Sequence, residues 1–347
     1  MLKSLGSKEA MIALDVMGGD HAPQAIVHGA LLAAQQSIPI TLFGPYDLIT
    51  SLLEKLDAGW QRYPLHIAHA DQVVHMDDDP VSAVKTKPGS SLVKAVSSVK
   101  QGICQAVVSA GSSGALMVAS TLILGRQEGV GRAAIAGFLP TKKGKVLALD
   151  LGANTEVRPE HLYQFAHLGA AHVAAVSGIK RPRVALLANG HEDNKGSVLV
   201  KQAHLLLKES TLNFIGNAEP KHVLDHEMDV IVCDGFTGNV LLKTCEAATD
   251  MFSAWLAQGI TKYSEKMSAE NAQQMQKTAR FLQASIDARL DYKQVGGALL
   301  LGVNGTVIVC HGSSDAQTMQ YAITFAWRTI TQGAIIQREI IETVQLS

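Results

Sequence analysis

The sequence predicts an α/β fold built on a doubly wound, mostly parallel sheet. Three observations carry that expectation. Short β-rich apolar runs alternate with helical patterns along most of the chain. The runs are continuously apolar rather than alternating, as strands covered on both faces are. Glycine clusters recur where the runs end, which is where open α/β sheets bind ligands.

Taken in order, strands are expected at Met11–Val16, Ile40–Phe43, Leu65–Ala68, Ala106–Ser109, Ile135–Leu139 and Val146–Asp150. They continue at Val184–Ala188, Asn213–Ile215, Val230–Cys233 and Thr306–Val309. Helical spacing of apolar residues marks Gln24–Gln36, Ser91–Lys100, Gly114–Leu124, Pro159–Val176, Ser197–Lys208 and Asp315–Thr343. The alternation stops at about 247–292, where no strand is expected. Met251, Phe252, Trp255, Leu256 and Ile260 mark one helical face there, and Met275, Ala279, Leu282, Ile286 and Leu290 another. Thr261–Gln274 between them is mostly polar, with Tyr263 and Met267 its apolar residues. The chain therefore reads as one α/β catalytic body over 1–347 with an inserted helical hairpin at 247–292. Core and dimer packing explain the hairpin; a membrane-touching tip is the alternative.

The 347 residues are 47% hydrophobic and 18% charged, the latter below the ~25% of an average domain. A chain this long and apolar fills a large core, which excludes disorder. The net charge of −1 offers no broad basic field, so nucleic acid is excluded as a partner. Cys104, Cys233, Cys245 and Cys310 lie far apart, which argues against a disulfide scaffold or a zinc knuckle and for a reducing cytoplasm. Asp15 interrupts the early apolar stretch Met11–Met17, so no secretory pattern is read there. Residues 101–125 carry no formal charge, but scattered serines and glutamines with Gly111 and Gly114 make them a strand, a turn and a buried helix. A soluble, cytoplasmic protein is expected.

The glycine loops hold the candidate chemistry. Gly18, Gly19, Asp20 and His21 follow the first strand; Gly111, Ser112 and Ser113 follow Ala106–Ser109; Asn154 closes the loop after Val146–Asp150. Asn217, then Asp234 and Asn239, then His311 and Ser313 occupy the later loops. Glycine allows positive φ and close backbone approach, so these loops are expected to turn amide N–H groups into one crevice. The serine pairs Ser112-Ser113 and Ser313-Ser314 open into helical patterns, where they either meet a phosphate or oxyanion or simply cap the helix. No Walker A, GxGxxG or GxSxG pattern occurs, so neither a nucleotide nor a serine nucleophile is indicated. His21 and His311 are acid–base candidates or structural hydrogen-bonders. His161, His167 and His172 share one helical pattern without a shared metal geometry, and Asp77-Asp78-Asp79 reads as a solvated turn. Lys195, between Asn194 and Gly196, sits where a lysine can meet an anion.

In their joint order these loops resemble the PlsX family, the acyl-ACP:phosphate acyltransferases. The resemblance runs from Ile12 to about Ile341. It is carried by Asp15-Val16-Met17-Gly18-Gly19-Asp20-His21-Ala22-Pro23, Val108-Ser109-Ala110-Gly111, Leu149-Asp150-Leu151-Gly152-Ala153-Asn154 and Lys195-Gly196. Asn213-Phe214-Ile215-Gly216-Asn217, Cys233-Asp234-Gly235-Phe236-Thr237-Gly238-Asn239-Val240, Gly296-Gly297-Ala298 and His311-Gly312-Ser313-Ser314 complete it. Ser112-Ser113 stands where the family usually has Asn-Thr, and Ser197 where it usually has Asn.

The resemblance implies a fold like isopropylmalate dehydrogenase and phosphotransacetylase, in a homodimer with the hairpin at its edge. It implies that inorganic phosphate and long-chain acyl-ACP give acyl phosphate and free acyl carrier protein, for use by a membrane glycerol-3-phosphate acyltransferase in phospholipid synthesis. It also implies Lys195 and Asn239 as catalytic residues, the loop residues above as substrate-binding, no cofactor or metal, and peripheral contact with the inner face of the membrane. Phosphate is then the nucleophile, and the protein's task is to hold it and stabilise an oxyanion. The competing expectations are a phosphotransacetylase-like acyl-CoA enzyme, a metal-dependent hydroxyacid dehydrogenase, and a non-catalytic membrane-associated scaffold. The motifs lack the carboxylate cluster that the dehydrogenase needs.

Overall fold

The computed structural model describes residues 10–265, 267–268, 271, 273–279, 281 and 296–332. Its strands are β1 (Ile12–Asp15), β2 (Ile40–Gly44), β3 (Leu65–His69), β4 (Ala106–Ser109), β5 (Ala134–Thr141) and β6 (Gly144–Leu149). They continue with β7 (Arg183–Leu187), β8 (Asn213–Ala218), β9 (Val230–Val232), β10 (Ala298–Leu301) and β11 (Thr306–Val309). The helices are α1 (Gln24–Ala34), α2 (Tyr46–Leu56), α3 (Pro80–Thr86), α4 (Ser91–Lys100) and α5 (Ser113–Ala119). Then come α6 (Pro159–Ser177), α7 (Val198–Lys208), α8 (Pro220–Val223), α9 (Gly235–Ser264) and α10 (Ala316–Gln332).

All the strands join one sheet in the order β3-β2-β1-β4-β11-β10-β5-β6-β9-β7-β8. The period-two geometry of a strand divides its side chains between two apolar layers. Leu14, Val108, Leu147, Leu186 and Val232 face α1, α6 and α10. Ala13, Val107, Ala148, Ala185 and Ile231 face α4 and α5. Both layers are closed to water, and this is why the strands read as unbroken apolar runs.

Most pairings are parallel, but β10 is antiparallel to both β11 and β5, and β5 is antiparallel to β6. The sheet therefore contains two parallel blocks that run in opposite directions, β3-β2-β1-β4-β11 and β6-β9-β7-β8. Strand β10 was not expected from the sequence. It is four residues long and follows Gly296 and Gly297, whose missing side chains are a packing requirement. A Cβ on Gly296 would lie 2.1 Å from the backbone N of Ala322 in α10, and Gly296 has φ +74°.

Helix α9 begins at Gly235, well before the expected hairpin boundary at 247. Its first turns pack on the sheet through Leu241 and Leu242. Beyond them it leaves the body, with Met251, Phe252 and Trp255 exposed. Leu282, Ile286 and Leu290 of the second expected face, and the end of the expected helix to Thr343, lie outside the described residues. Among the described residues, no helix is long and apolar enough to cross a membrane.

Candidate active site

The blocks run in opposite directions but are staggered, with Ile308, Leu299, Ala136, Leu149 and Val232 on one line across the sheet. Their carboxyl ends therefore meet mid-sheet as two sets of glycine loops. One set, after β1, β4 and β11, packs together: Asp20 N donates to Gly312 O at 2.8 Å, and Cys310 N donates to Ser109 O at 2.9 Å. Gly18 and Gly111 meet backbone to backbone, and a Cβ on Gly18 would lie 2.6 Å from Gly111 N. The other set follows β6 and β9. There Gly235 N donates to Asn154 O at 2.7 Å, and a Cβ on Gly238 would lie 1.9 Å from Asp150 O.

The expectation that these loops present free amides to a ligand is corrected at two places. Each set is organised around a buried aspartate: Asp150 draws the amides of its loop inward, and Asp15 draws two hydroxyls and one amide. Asp150 accepts from Gly152 N at 3.1 Å, Ala153 N at 2.9 Å and Asn154 N at 2.8 Å, and from Ile135 N at 3.0 Å. Asp15 accepts from Ser91 Oγ at 2.5 Å and Ser109 Oγ at 2.7 Å, with Met17 N–H also on its carboxylate. Gly111 N turns to Ser109 Oγ at 3.1 Å. Burial pushes both carboxyl groups above their ordinary range even against these donors. The third of the expected amide loops is thus a scaffold for its own acid.

Several expected substrate-binding side chains are likewise engaged in building the site. Asn154 gives its amide hydrogens to Ala133 O at 2.7 Å and Asp150 Oδ2 at 2.8 Å. Asn217 donates to Glu192 O at 2.9 Å and pairs with Nδ1 of buried His204 at 2.9 Å, which ties down the loop that carries Lys195. Asp234 caps α9, accepting from Thr237 N at 2.8 Å and Thr237 Oγ1 at 2.7 Å. Ser112 caps α5 through Ala115 N at 3.3 Å. Asp315, rather than the serine pair before it, caps α10 through Thr318 N at 2.8 Å.

The exposed polar side chains are fewer. Lys195 is exposed and lies over Gly190, where a Cβ would come within 2.8 Å of its Cγ; it forms no ion pair among the described residues. Asn239 is exposed beside Gly152, whose added Cβ would be 3.8 Å from Asn239 Oδ1, and its amide has no hydrogen bond among the described residues. Gly152 has φ +139°, so glycine is needed there for the backbone as well. Asp20, His21, Ser113, His311 and Ser313 are exposed too.

One residue that the sequence reading missed joins the two sets. Lys243 stands one helical turn after Asn239 on the same side of α9. Its Nζ donates to Nε2 of His311 and contacts Glu246 Oε2 at 2.8 Å. His311 Nδ1 in turn lies 2.9 Å from Ser313 Oγ. Beside this cluster opens a cavity of about 150 Å³ lined by Phe138, Leu139, Leu151, Leu242, Ala298 and Val309. Its polar side carries Glu246, His311, Ser313, Asp315 and Thr318. Phe138 also borders a second cleft of about 590 Å³, with Tyr321, Phe325 and Arg328 on its far wall.

Residues 10–337 match the family described as "Fatty acid synthesis protein". The chain is 45% identical over 332 residues to a phosphate acyltransferase of Heliobacterium modesticaldum, covering 95% of this chain and 97% of that protein. It belongs to the phosphate acyltransferase family. Members of that family are acyltransferases. A phosphotransacetylase from Streptococcus pyogenes shares the fold, with a TM-score of 0.60 at 16% identity over 93% of this chain and 95% of its own. A branched-chain phosphotransacylase from Enterococcus faecalis V583 aligns with a TM-score of 0.52 at 15% identity, over 92% and 99% of the two chains.

The cysteines are poor nucleophile candidates, since burial raises all four thiols above their ordinary value. Cys233 and Cys310 are buried; burial raises the first thiol far above its ordinary value and pushes the second up to about 12. One group of metal-ligating side chains converges among the described residues, His222, Asp225 and Glu227, but the Lys142 ammonium already lies 2.5 Å from Asp225. His167 and His172 are buried in α6 and His161 is half-buried, so the three do not converge.

Proposed function

We propose that this chain transfers the acyl group of a long-chain acyl-ACP thioester to inorganic phosphate. A phosphate oxygen attacks the thioester carbonyl, the C–S bond breaks, and the proton of hydrogen phosphate passes to the departing sulfur. The products are acyl phosphate and free acyl carrier protein. The observation that carries this reading is the apolar cavity whose polar side bears His311 and Ser313, beside Lys243. An aliphatic chain suits the cavity, and the reacting head suits its polar edge.

The residues divide the work by charge. Lys195 and Lys243 neutralise phosphate as it approaches, and Asn239 donates to the oxyanion that develops on the carbonyl. His311 holds the Lys243 ammonium in place. No enzyme nucleophile is required, which agrees with the buried thiols.

A second reading comes from the fold shared with phosphotransacetylases: the donor would be acyl-CoA. Phosphate-dependent release of carrier protein from acyl-ACP, measured beside acyl-CoA at equal concentration, separates the two. Release from the carrier with little turnover of acyl-CoA supports our reading, and the reverse result overturns it. Inert behaviour with both donors would favour a scaffold.

The exposed Phe252 and Trp255 of α9 suit a homodimer interface, and exposed Tyr263 suits contact with a membrane surface. A cytoplasmic, peripheral location would hand acyl phosphate to a membrane glycerol-3-phosphate acyltransferase.

A further inference from the structure

A second depression lies apart from the acyl cavity, between α3, α5 and the loop 125–133. Its volume is about 260 Å³. Val81 and Leu122 form an apolar lining that is 46% and 58% exposed, with Met117 and Val118 half-buried between them. Lys85, Arg126 and Arg132 also line it. None of these three cations forms an ion pair among the described residues, although ion pairs occupy Lys87, Lys142, Arg183, Lys208 and Lys243 elsewhere. Arg158 stands close by: desolvation, then Arg132 and Arg158, hold the His161 imidazole below its ordinary value. The nearby acids are Glu128 on the same loop and Glu160 beside His161.

The groove borders the reacting region. Asn154 lines it, and the carbonyl of Asn154 accepts from Gly235 at the start of α9, one turn before Asn239. In a chain whose net charge is −1, cations without an ion pair among the described residues, set around an exposed apolar lining, suit a partner with the opposite pattern. An interface of this kind has an apolar centre and a charged rim that steers association.

We propose that this groove docks an acidic carrier domain, its apolar helix face on Val81 and Leu122 and its carboxylates on Lys85, Arg126 and Arg132. The proposal rests on the function given above and adds where the donor's protein part sits. Arg126 also donates to Gly131 O, so it helps build its own loop. Lys85 and Arg132 make no such bond among the described residues and are the residues to test.

The test compares wild type with the Lys85→Glu/Arg132→Glu double variant on two donors with the same acyl group. One donor is acyl-ACP and the other is acyl-pantetheine, which has no protein part. We expect kcat/KM for acyl-ACP to fall by about tenfold or more and to lose most of its salt dependence. Turnover of acyl-pantetheine should not change. Equal losses on both donors, or none on acyl-ACP, would overturn the docking site. Binding of fluorescent acyl-ACP by anisotropy serves as an independent arm. If wild type releases no carrier, the functional reading fails; binding that the double variant abolishes would still support docking, and unchanged binding would refute it. Loss of binding to anionic phospholipid vesicles with acyl-ACP kinetics unchanged would assign the patch to a membrane instead.

Discussion

The ammonium of Lys243, just over two turns into α9, donates to Nε2 of His311 in the loop after β11. These residues come from the two opposed blocks, whose carboxyl ends lie level because Val232, Leu149, Ala136, Leu299 and Ile308 fall on one line across the sheet. Helix α9 starts where β9 ends and is laid back along the sheet, which carries Lys243 to the loop after β11. Asn239 faces Gly152 one turn earlier on that helix. The two sets of loops are joined by a single helical face.

Lys243 should therefore matter to turnover. Lys243→Met is expected to lower kcat/KM for phosphate by about 100-fold, on the scale of one lost charge-stabilising donor. Lys243→Arg should recover part of the loss. Both variants should melt near wild type, because the Lys243 contacts are exposed. Wild-type phosphate kinetics in Lys243→Met would remove this lysine from the site.

Asn239→Ala and Lys195→Ala separate activity from stability. Neither side chain has a hydrogen bond or ion pair among the described residues, so melting temperatures should stay within the ordinary scatter of surface substitutions. Acyl phosphate formation should fall ~100- to 1000-fold. A large drop in melting temperature would show instead that these groups order their loops.

Phe138 lines both the apolar cavity proposed for the acyl chain and the larger cleft beside it. Phe138→Ala joins the two spaces, and Phe138→Trp closes the first more firmly. Rates measured over a series of acyl lengths should shift toward longer chains in the alanine variant and toward shorter ones in the tryptophan variant. Each methylene gained or lost in an apolar pocket changes discrimination by about 1–3 kcal/mol at most. An unchanged length profile in both variants would mean that the chain lies elsewhere.

His172 gives the fold a dependence on pH. Burial lowers its pKa from 6.5 to about 4, and its Nε2 has no hydrogen-bond partner among the described residues. Below pH 6.5 the unfolded chain takes up a proton that the folded chain refuses, so the unfolded state binds more protons and stability falls. The loss develops between pH 6.5 and about 4 and has an upper bound of about 3 kcal/mol. Burial displaces His167 in the same direction. Urea unfolding at pH 7.5 and pH 5 should show a smaller difference for His172→Leu than for wild type. Equal differences would mean that other groups govern the acid limb.

Much of the architecture is legible in the linear order of residues. The apolar runs at Ala106–Ser109 and Thr306–Val309 are strands with the expected bounds, because a strand buried on both faces needs only a short unbroken run. Strand β10 is less legible, because four residues behind two glycines carry no periodic signal. Lys243 left a usable signal: it lies four residues after Asn239, and a helix beginning at Gly235 puts both on one face.

The sequence by itself determined the alternation of strands and helices, the glycine loops that end the strands, and Lys195 as a polar residue within one of them. These are local properties, written in composition and spacing. Asn239, read as a loop residue, stands in the second turn of α9. Strand direction is not local, because a run of apolar residues reads the same whichever way its neighbour points. Tertiary structure alone decided that the blocks oppose one another, and that α9 carries Lys243 across to His311. It also decided which amides remain for a ligand. Asp15 and Asp150 are buried where no water can satisfy their oxygens, so the nearest N–H and O–H groups must turn inward to them.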